Sequence, residues 1–180
     1  MTSALLVIDL QRDGVAEAHD RDGVVERVAT LVDRARTEKV PVVWVQHNDD
    51  QLVRDSDGRQ LADGLSPADG EPVVHKQYGD AFAETELADL LAETNIDRLV
   101  ITGAASEQCV RAALHSAVLK GYDVVLVSDA HTTNDLIFDD HNLPATQLID
   151  TINVIAEYGL QWPDASGSVA TAAEVQLTTT

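Results

Sequence analysis

Three side chains of this sequence have the chemistry needed to attack a carbonyl group. Cys109 is the only cysteine among 180 residues, and it lies in the stretch VITGAASEQCV, near the predicted start of a helix. Asp9 ends the apolar run ALLVI, and Lys76, one of three lysines, ends PVVHK. A thiol can act as a nucleophile, a carboxylate can take its proton, and an ammonium group stabilises the thiolate. Together they are the parts needed for acyl transfer through a thioester.

The surroundings of Cys109 favour a reactive thiol. Ser106 is a predicted N-cap, which places Cys109 in the first helical turn. There the helix dipole stabilises a thiolate and lowers the pKa of the thiol, and a nearby lysine lowers it further. Unpaired N–H groups of the same turn could receive an oxyanion. Taken alone, each residue also has a structural explanation: a buried cysteine, a solvated lysine, and a loop or capping aspartate.

The rest of the chain alternates between buried strands and amphipathic helices. Strands are predicted at 4–9, 41–47, 72–76, 97–103 and 123–130, with a weak sixth strand in 168–177. Helices are predicted at 23–40, 85–94, 107–121 and 144–159. The pattern predicts a single α/β domain over residues 1–180, a three-layer α/β/α structure with a mostly parallel, doubly wound sheet of six strands.

This architecture explains how distant residues could meet. In an open parallel sheet, ligands bind beyond the carboxyl ends of the strands. Asp9, His47 and Lys76 end the first three predicted strands, residues 103–109 follow the fourth, and residues 129–133 end the fifth. The stretch 48–71, rich in Asp and Gly, is predicted to be a long loop with at most a short helix, and such loops commonly carry function.

The composition excludes several classes of partner. The chain has 31 acidic and 12 basic residues, a net charge of −19, which argues against binding to nucleic acids or anionic membranes. The charge fits either an ordinary acidic enzyme or a protein adapted to high salt. A lone cysteine excludes an internal disulfide, and no segment has the features of a signal peptide or a membrane span. A cytoplasmic protein is expected.

Four motifs in order resemble the isochorismatase-like cysteine hydrolases, a family that includes nicotinamidases, carbamoyl-amide hydrolases and streptothricin hydrolase. The motifs are VIDLQRD with Asp9 and Gln11, VVHKQYGDAF with Lys76, VITGAASEQCV with Cys109, and GYDVVLVSDA. The resemblance extends from about Ala4 to Val175.

The resemblance implies a catalytic triad of Asp9 as general base, Lys76 as the cation and Cys109 as nucleophile. It also implies a cis peptide bond between Ala104 and Ala105, with the N–H groups of Ala105 and Cys109 forming an oxyanion hole. The pocket residues expected around a small-molecule substrate are Gln11, His47, Tyr78, Phe82, Ser106 and His131.

Departures from the family patterns narrow the expected activity. Members that hydrolyse the vinyl ether of isochorismate lack a cysteine at the position of Cys109, so its presence favours C–N bond hydrolysis. Nicotinamidases carry a metal-binding Asp-x-His pair after the second strand, where this chain has QHNDDQLVRD with His47 alone; no metal and no cofactor are expected. Vinyl-ether hydrolysis and a non-enzymatic binding protein remain alternatives. The family is commonly oligomeric, so a homodimer or homotetramer is expected.

Overall fold

Six parallel strands form the central sheet of the computed structural model, which describes residues 2–48 and 56–178. The strands are β1 (Ser3–Ile8), β2 (Val42–His47), β3 (Val73–Lys76), β4 (Arg98–Ala104), β5 (Asp123–Thr132) and β8 (Gly167–Ala170). Their order in the sheet is β3-β2-β1-β4-β5-β8, and every neighbouring pair is parallel. This confirms the predicted α/β fold.

Four helices cover the two faces of the sheet. They are α1 (Arg21–Glu38), α2 (Leu87–Glu93), α3 (Arg111–Leu119) and α4 (Ala145–Val154). Helix α1 packs with Leu5 and Val7 of β1 on one face, whereas α2, α3 and α4 pack with Leu6 and Ile8 on the other. Because successive side chains of a strand point to opposite faces, a strand buried on both sides is apolar throughout, which is why ALLVI could be recognised in the sequence.

The strand order reverses between β1 and β4, and this reversal locates the site. From β1 the chain proceeds to β2 and β3 on one side, and then returns to β4, β5 and β8 on the other. The crossover helices therefore diverge at the β1–β4 junction and leave a crevice at the carboxyl ends of these strands. Asp9 follows β1 and the segment with Cys109 follows β4, so both lie at this junction.

Several local features differ from the sequence prediction. The sixth strand is shorter than 168–177: it ends at Ala170, and Val175 and Leu177 pack instead in the α1-side core. A two-stranded antiparallel hairpin, β6 (Leu136–Phe138) and β7 (His141–Leu143), was not predicted. Within the predicted loop 48–71, residues 49–55 lie outside the described part; the described remainder has no helix, and Leu61 bridges to Gln11.

Glu71 ties α1 and β2 to the end of this loop. Its carboxylate accepts hydrogen bonds from Arg36 Nε and Nη2 (2.8 and 3.0 Å), from Trp44 Nε1 (2.7 Å) and from the Ala68 N–H (2.9 Å). Burial alone would raise the pKa of Glu71, but these donors outweigh it and lower the pKa to about 2. The folded state therefore favours the ionised carboxylate, and this stabilisation is present above the ordinary value of 4.5 and is lost as the pH falls toward 2.

We expect Glu71→Gln to lower the free energy of unfolding by about 1–2 kcal/mol at pH 7, because it removes the charged partner of Arg36. Urea unfolding at pH 7 and pH 3 measures the effect, with Glu26→Gln on the exposed face of α1 as the control. The difference from the unmodified protein should shrink at pH 3. An equal loss at both pH values would contradict the electrostatic explanation.

Candidate active site

The structure brings Asp9, Lys76 and Cys109 together at the carboxyl edge of the sheet. Lys76 Nζ lies 2.6 Å from Asp9 Oδ2 and 3.2 Å from Cys109 Sγ. The ammonium group also donates to the Tyr78 carbonyl oxygen (3.1 Å) and lies 3.3 Å from His47 Nδ1. The lysine therefore stands between the carboxylate and the thiol, in contact with both.

The carboxylate and the ammonium group of this cluster are almost completely removed from solvent, whereas Cys109 is partly exposed. Asp9 is 8% exposed and Lys76 is 1% exposed. The Asp9 carboxylate is also within hydrogen-bonding reach of the Cys109 thiol. An ammonium group that is buried to this degree is found in proteins only when it is paired, and here the carboxylate supplies the pairing.

The backbone at the end of β1 and β4 is shaped to bring these groups close. Asp9 adopts a left-handed conformation (φ 50°), which is strained for a residue with a side chain, and its N–H donates to the Val45 carbonyl oxygen (2.9 Å). Gly103 pairs with Ile8, and a Cβ at Gly103 would lie 2.1 Å from the Ile8 carbonyl oxygen. Only glycine permits this approach of β4 to β1 immediately before the Cys109 segment.

The three ionisable groups perturb one another strongly. Burial raises the pKa of Asp9, and the nearby Lys76 ammonium only partly opposes this. Burial would lower the pKa of Lys76, but Asp9 and Cys109 outweigh it and the pKa is raised. Lys76 thus stays charged at neutral pH, while Asp9 becomes a stronger base than an ordinary aspartate.

The pKa of the Cys109 thiol is shifted in the direction opposite to the sequence prediction. Burial and the Asp9 carboxylate raise the pKa of Cys109 to about 11, and Lys76 lowers it by less. Lys76 lowers the pKa of Cys109 as predicted, but the prediction of a lowered pKa overall was wrong, because it did not include the cost of burying a charge beside a carboxylate. At neutral pH the cysteine is a thiol, so its activation needs a base.

Cys109 lies in a π-helical turn, Ser106–Val110, that precedes α3. The peptide bond between Ala104 and Ala105 is cis. The N–H groups of Gln108 and Val110 both donate to the Ala105 carbonyl oxygen (3.1 and 3.2 Å), so the Cys109 N–H between them does not use that acceptor. The predicted N-cap role of Ser106 was wrong: Ala105 occupies the cap position, and the Ser106 hydroxyl contacts His131 instead.

Two of the predicted pocket residues, Gln11 and Phe82, are buried and do not line an open pocket. Gln11 is fully buried; its amide donates to the carbonyl oxygens of His47 and Arg59 and accepts from the His47 N–H. It therefore fixes the end of β2. Phe82 is 8% exposed, and its ring stacks on Tyr122 with 6.1 Å between centroids. This aromatic side chain after β3 is thus used for packing.

Of the other predicted pocket residues, His47 and Tyr78 lie near Lys76, whereas Ser106 and His131 lie in the interior. His47 is half-buried and contacts Lys76, whereas Tyr78 is 51% exposed and follows Lys76 closely in the chain. Ser106 and His131 are both buried and contact each other. A pocket of about 290 Å³ is lined by Asn48, His75, Gln77, Tyr78, Ala83 and Glu84, and none of Asp9, Lys76 and Cys109 is part of its lining.

Two supporting residues were missed by the sequence analysis. Arg59 is 6% exposed and connects the ends of β2 and β3 through the His47 carbonyl oxygen (3.3 Å) and His75 Nδ1 (2.8 Å). Asp80 accepts from the Ser116 hydroxyl (2.5 Å) and so ties the segment after Lys76 to α3. A basic residue in a strongly acidic loop was the available signal for Arg59, and Asp80 lies within the motif VVHKQYGDAF.

Among the described residues, no group of three or more His, Cys, Asp or Glu side chains could hold a metal ion. Within the same ranges, no helix is long and apolar enough to cross a membrane.

Comparison with known proteins identifies the family of this chain. Residues 3–152 match the model of the isochorismatase domain. Streptothricin hydrolase of Streptomyces noursei is 36% identical over 139 residues, which are 74% of this chain and 55% of that protein. N-carbamoylsarcosine amidase of an Arthrobacter species is 39% identical over 75 residues, 42% of this chain and 28% of that protein.

A solved structure extends the similarity to nearly the whole chain. The crystal structure of an isochorismatase from Pseudomonas putida KT2440 has a TM-score of 0.86 and 29% identity, and the match covers 97% of this chain and 90% of that one. The chain spans only about half of the streptothricin hydrolase, which is therefore a longer protein. With a family model that covers most of its length, the chain belongs to the isochorismatase family of hydrolases.

Proposed function

We propose that this chain is a cysteine-dependent hydrolase that cleaves a C–N bond of a small amide, carbamoyl or cyclic amide compound through a thioester. One observation carries the proposal: a buried ammonium group, Lys76, contacts both a carboxylate, Asp9 (2.6 Å), and the only thiol, Cys109 (3.2 Å). Structural ion pairs do not require a cysteine as a third member, whereas nucleophilic catalysis requires all three groups.

The first half of the reaction is acyl transfer to the enzyme. Asp9 removes the proton from Cys109 as Sγ attacks the carbonyl carbon, and Lys76 stabilises the thiolate as it forms. The carbonyl oxygen becomes an oxyanion, which the N–H groups of Ala105 and Cys109 would receive. When the tetrahedral intermediate collapses, the C–N bond breaks, and protonated Asp9 returns its proton to the departing nitrogen. A thioester on Cys109 remains.

The second half releases the acyl group. A water molecule replaces the departed amine and gives a proton to Asp9 as its oxygen attacks the thioester carbon. The C–S bond breaks, the product leaves as a carboxylic or carbamic acid, and Cys109 regains its proton. Because the pKa of Asp9 is raised by burial, one carboxylate can act in turn as base and acid in both halves.

The relatives support a C–N hydrolase over the alternatives. N-carbamoylsarcosine amidase is named as an amidase and streptothricin hydrolase as a hydrolase, and both match this chain. Vinyl-ether hydrolysis would leave Cys109 without a role, and a binding protein without activity would not need a buried acid, cation and thiol in contact. The Asp9–Lys76–Cys109 contacts therefore favour the enzyme.

The proposed enzyme acts on a small molecule in the cytoplasm and assembles as a homodimer or homotetramer. Self-association is supported by the exposed apolar side chains of the β6–β7 hairpin, where Ile137 and Phe138 are 80% and 70% exposed. Size-exclusion chromatography with light scattering measures the assembly, and a monomer at micromolar concentration would contradict it.

A substrate screen tests the proposal directly. We would incubate the protein with small amides, ureas and carbamoyl compounds, measure ammonia or amine release, and stop the reaction in acid for intact-mass analysis. Because the chain has one cysteine, an acyl adduct on Cys109 is easily assigned. An active substrate whose acyl group never appears on Cys109, even when its hydrolysis is slowed at low temperature, would contradict the thioester.

The pH dependence of turnover should show the raised pKa of Asp9. The reaction needs the ionised carboxylate, so kcat/KM should fall about tenfold per pH unit once the pH is below the pKa of Asp9. Since burial raises that pKa above the ordinary 3.8, the acid limb should lie above pH 3.8. Tryptophan fluorescence checks that the protein stays folded. Full activity down to pH 3.8 would contradict the role of Asp9.

A further inference from the structure

A buried chain of polar side chains connects the catalytic turn to α4. Ser106 Oγ lies 2.8 Å from His131 Nδ1, and His131 Nε2 lies 3.1 Å from Asn153 Oδ1. Asn153 Nδ2 in turn donates to the Ser128 carbonyl oxygen (3.3 Å). Ser106 and His131 are 0% and 1% exposed. None of these side chains has a part in the reaction described above.

The direction of every hydrogen bond in this series of side chains follows from its last acceptor, the Ser128 carbonyl oxygen. A carbonyl oxygen only accepts, so Asn153 turns its NH₂ group to Ser128 and its oxygen to His131. His131 must then carry its proton on Nε2. A neutral imidazole has its lone pair on the other nitrogen, so Nδ1 accepts from the Ser106 hydroxyl.

His131 contacts both ends of the segment that leads to the nucleophile. Its backbone pairs with Gly103 in the β4–β5 register, and its side chain contacts Ser106, the first residue of the π-helical turn. Between these two points lie Ala104 and Ala105, and Cys109 follows three residues after Ser106. We infer that His131 and Asn153 are positioning residues that hold the Cys109 turn through Ser106. This inference rests on the proposed function, since it concerns the same nucleophile.

This direction of the Ser106–His131 hydrogen bond exists only while His131 is neutral. An imidazolium would donate from both nitrogens, so the Ser106 hydroxyl would have to turn a lone pair to Nδ1 and point its own proton elsewhere in the buried site. Burial lowers the pKa of His131 and so favours the neutral form, against the opposing influence of the Asn153 hydrogen bond and the Asp129 charge.

Other charged groups also face His131 from the neighbouring elements. A pocket of about 200 Å³ borders the imidazole. Its titratable or charged lining residues other than His131 are His19, Asp20, Arg27, Asp129 and Asp150. The carboxylates among them favour the imidazolium and Arg27 disfavours it. The titration of His131 therefore has to be measured against a variant that changes charge elsewhere.

Asn153→Asp adds one negative charge at the end of this series of hydrogen bonds. A carboxylate still accepts from His131 Nε2, but it stabilises the imidazolium and should raise the pKa of His131 by about one pH unit or more. Two protonations then lower kcat as the pH falls, that of Asp9 and that of His131. In Asn153→Asp the part that is due to His131 should move upward by a similar amount, which is about a tenfold loss of kcat within that range. Asn142→Asp in the exposed strand β7 adds the same charge and should leave the profile unchanged.

Ser106 provides the second test. Ser106→Ala removes the donor to His131, and we expect kcat to fall about tenfold or more while KM changes less than threefold, because the nucleophile is misplaced but the substrate contacts are not. Ser106→Thr keeps the hydroxyl and should restore most of kcat. Urea unfolding of both variants separates this effect from a general loss of stability.

Two measurements that need no substrate complete the test of this inference. NMR of the unmodified protein should show His131 neutral at pH 7 with the proton on Nε2. The rate at which iodoacetamide alkylates Cys109 reports the position of the nucleophile in the Ser106–Val110 turn, even if the protein hydrolyses no amide. If alkylation responds to Asn153→Asp and not to Asn142→Asp while no substrate is found, the proposed function fails and the inference stands. A protonated Nδ1, identical pH profiles of Asn153→Asp and Asn142→Asp, or a Ser106→Thr variant as defective as Ser106→Ala would each overturn the inference.

Discussion

Replacing Cys109 by alanine is expected to lower turnover of every substrate by about 10⁴-fold or more. Without Sγ no thioester forms, and the remaining groups can only polarise the substrate or activate water weakly. The Asp9–Lys76 ion pair does not depend on the thiol, so the variant should fold and keep this contact. Amine release and the absence of an acyl adduct in the intact mass measure the result.

Cys109→Ser is the matched variant for this experiment. It preserves size and the ability to hydrogen-bond to Lys76, but an alcohol is far harder to deprotonate than a thiol, even a thiol with a pKa of about 11. We expect a loss close to that of Cys109→Ala. Substantial turnover in the alanine variant would mean that water or another side chain attacks the substrate, and the nucleophile assignment would be wrong.

The second large effect is expected for Asp9→Asn, which should lower turnover about 10³-fold or more because no base remains to take the thiol proton. The same change should make the thiol easier to ionise. The Asp9 carboxylate raises the pKa of Cys109, so its removal should lower that pKa and speed alkylation by iodoacetamide at pH 9. A more reactive cysteine in a less active enzyme is the signature of a lost general base.

Asp89→Asn is the control for Asp9→Asn, because Asp89 is exposed on α2 and loses the same charge. It should change neither turnover nor the alkylation profile. Asp9→Asn also leaves Lys76 without its carboxylate partner, so circular dichroism must show that the variant is folded. A folded Asp9→Asn variant that retains more than a tenth of the turnover would contradict the base role, and slower alkylation would contradict the electrostatic effect.

The contact between Asp9, Lys76 and Cys109 could be predicted because of a property of parallel sheets. Strands that run in the same direction end at the same edge, so Asp9 after β1, Lys76 at the end of β3 and Cys109 after β4 had to meet if the strands were recognised correctly. The strands were recognisable because those buried on both faces are apolar throughout. The hairpin β6–β7 was missed because its short strands are largely exposed and lack that pattern.

The sequence by itself thus determined the alternation of strands and helices, and with it which side chains share an edge. The tertiary structure decided how those side chains behave. Local reasoning assigned Ser106 to a helix cap and predicted an acidic thiol at Cys109, whereas the folded chain directs Ser106 to His131 and gives the thiol a pKa of about 11. The physical reason is that strand patterns are short-range properties of the chain. Desolvation and charge proximity depend on groups brought together from distant positions, here residues 9, 76 and 109.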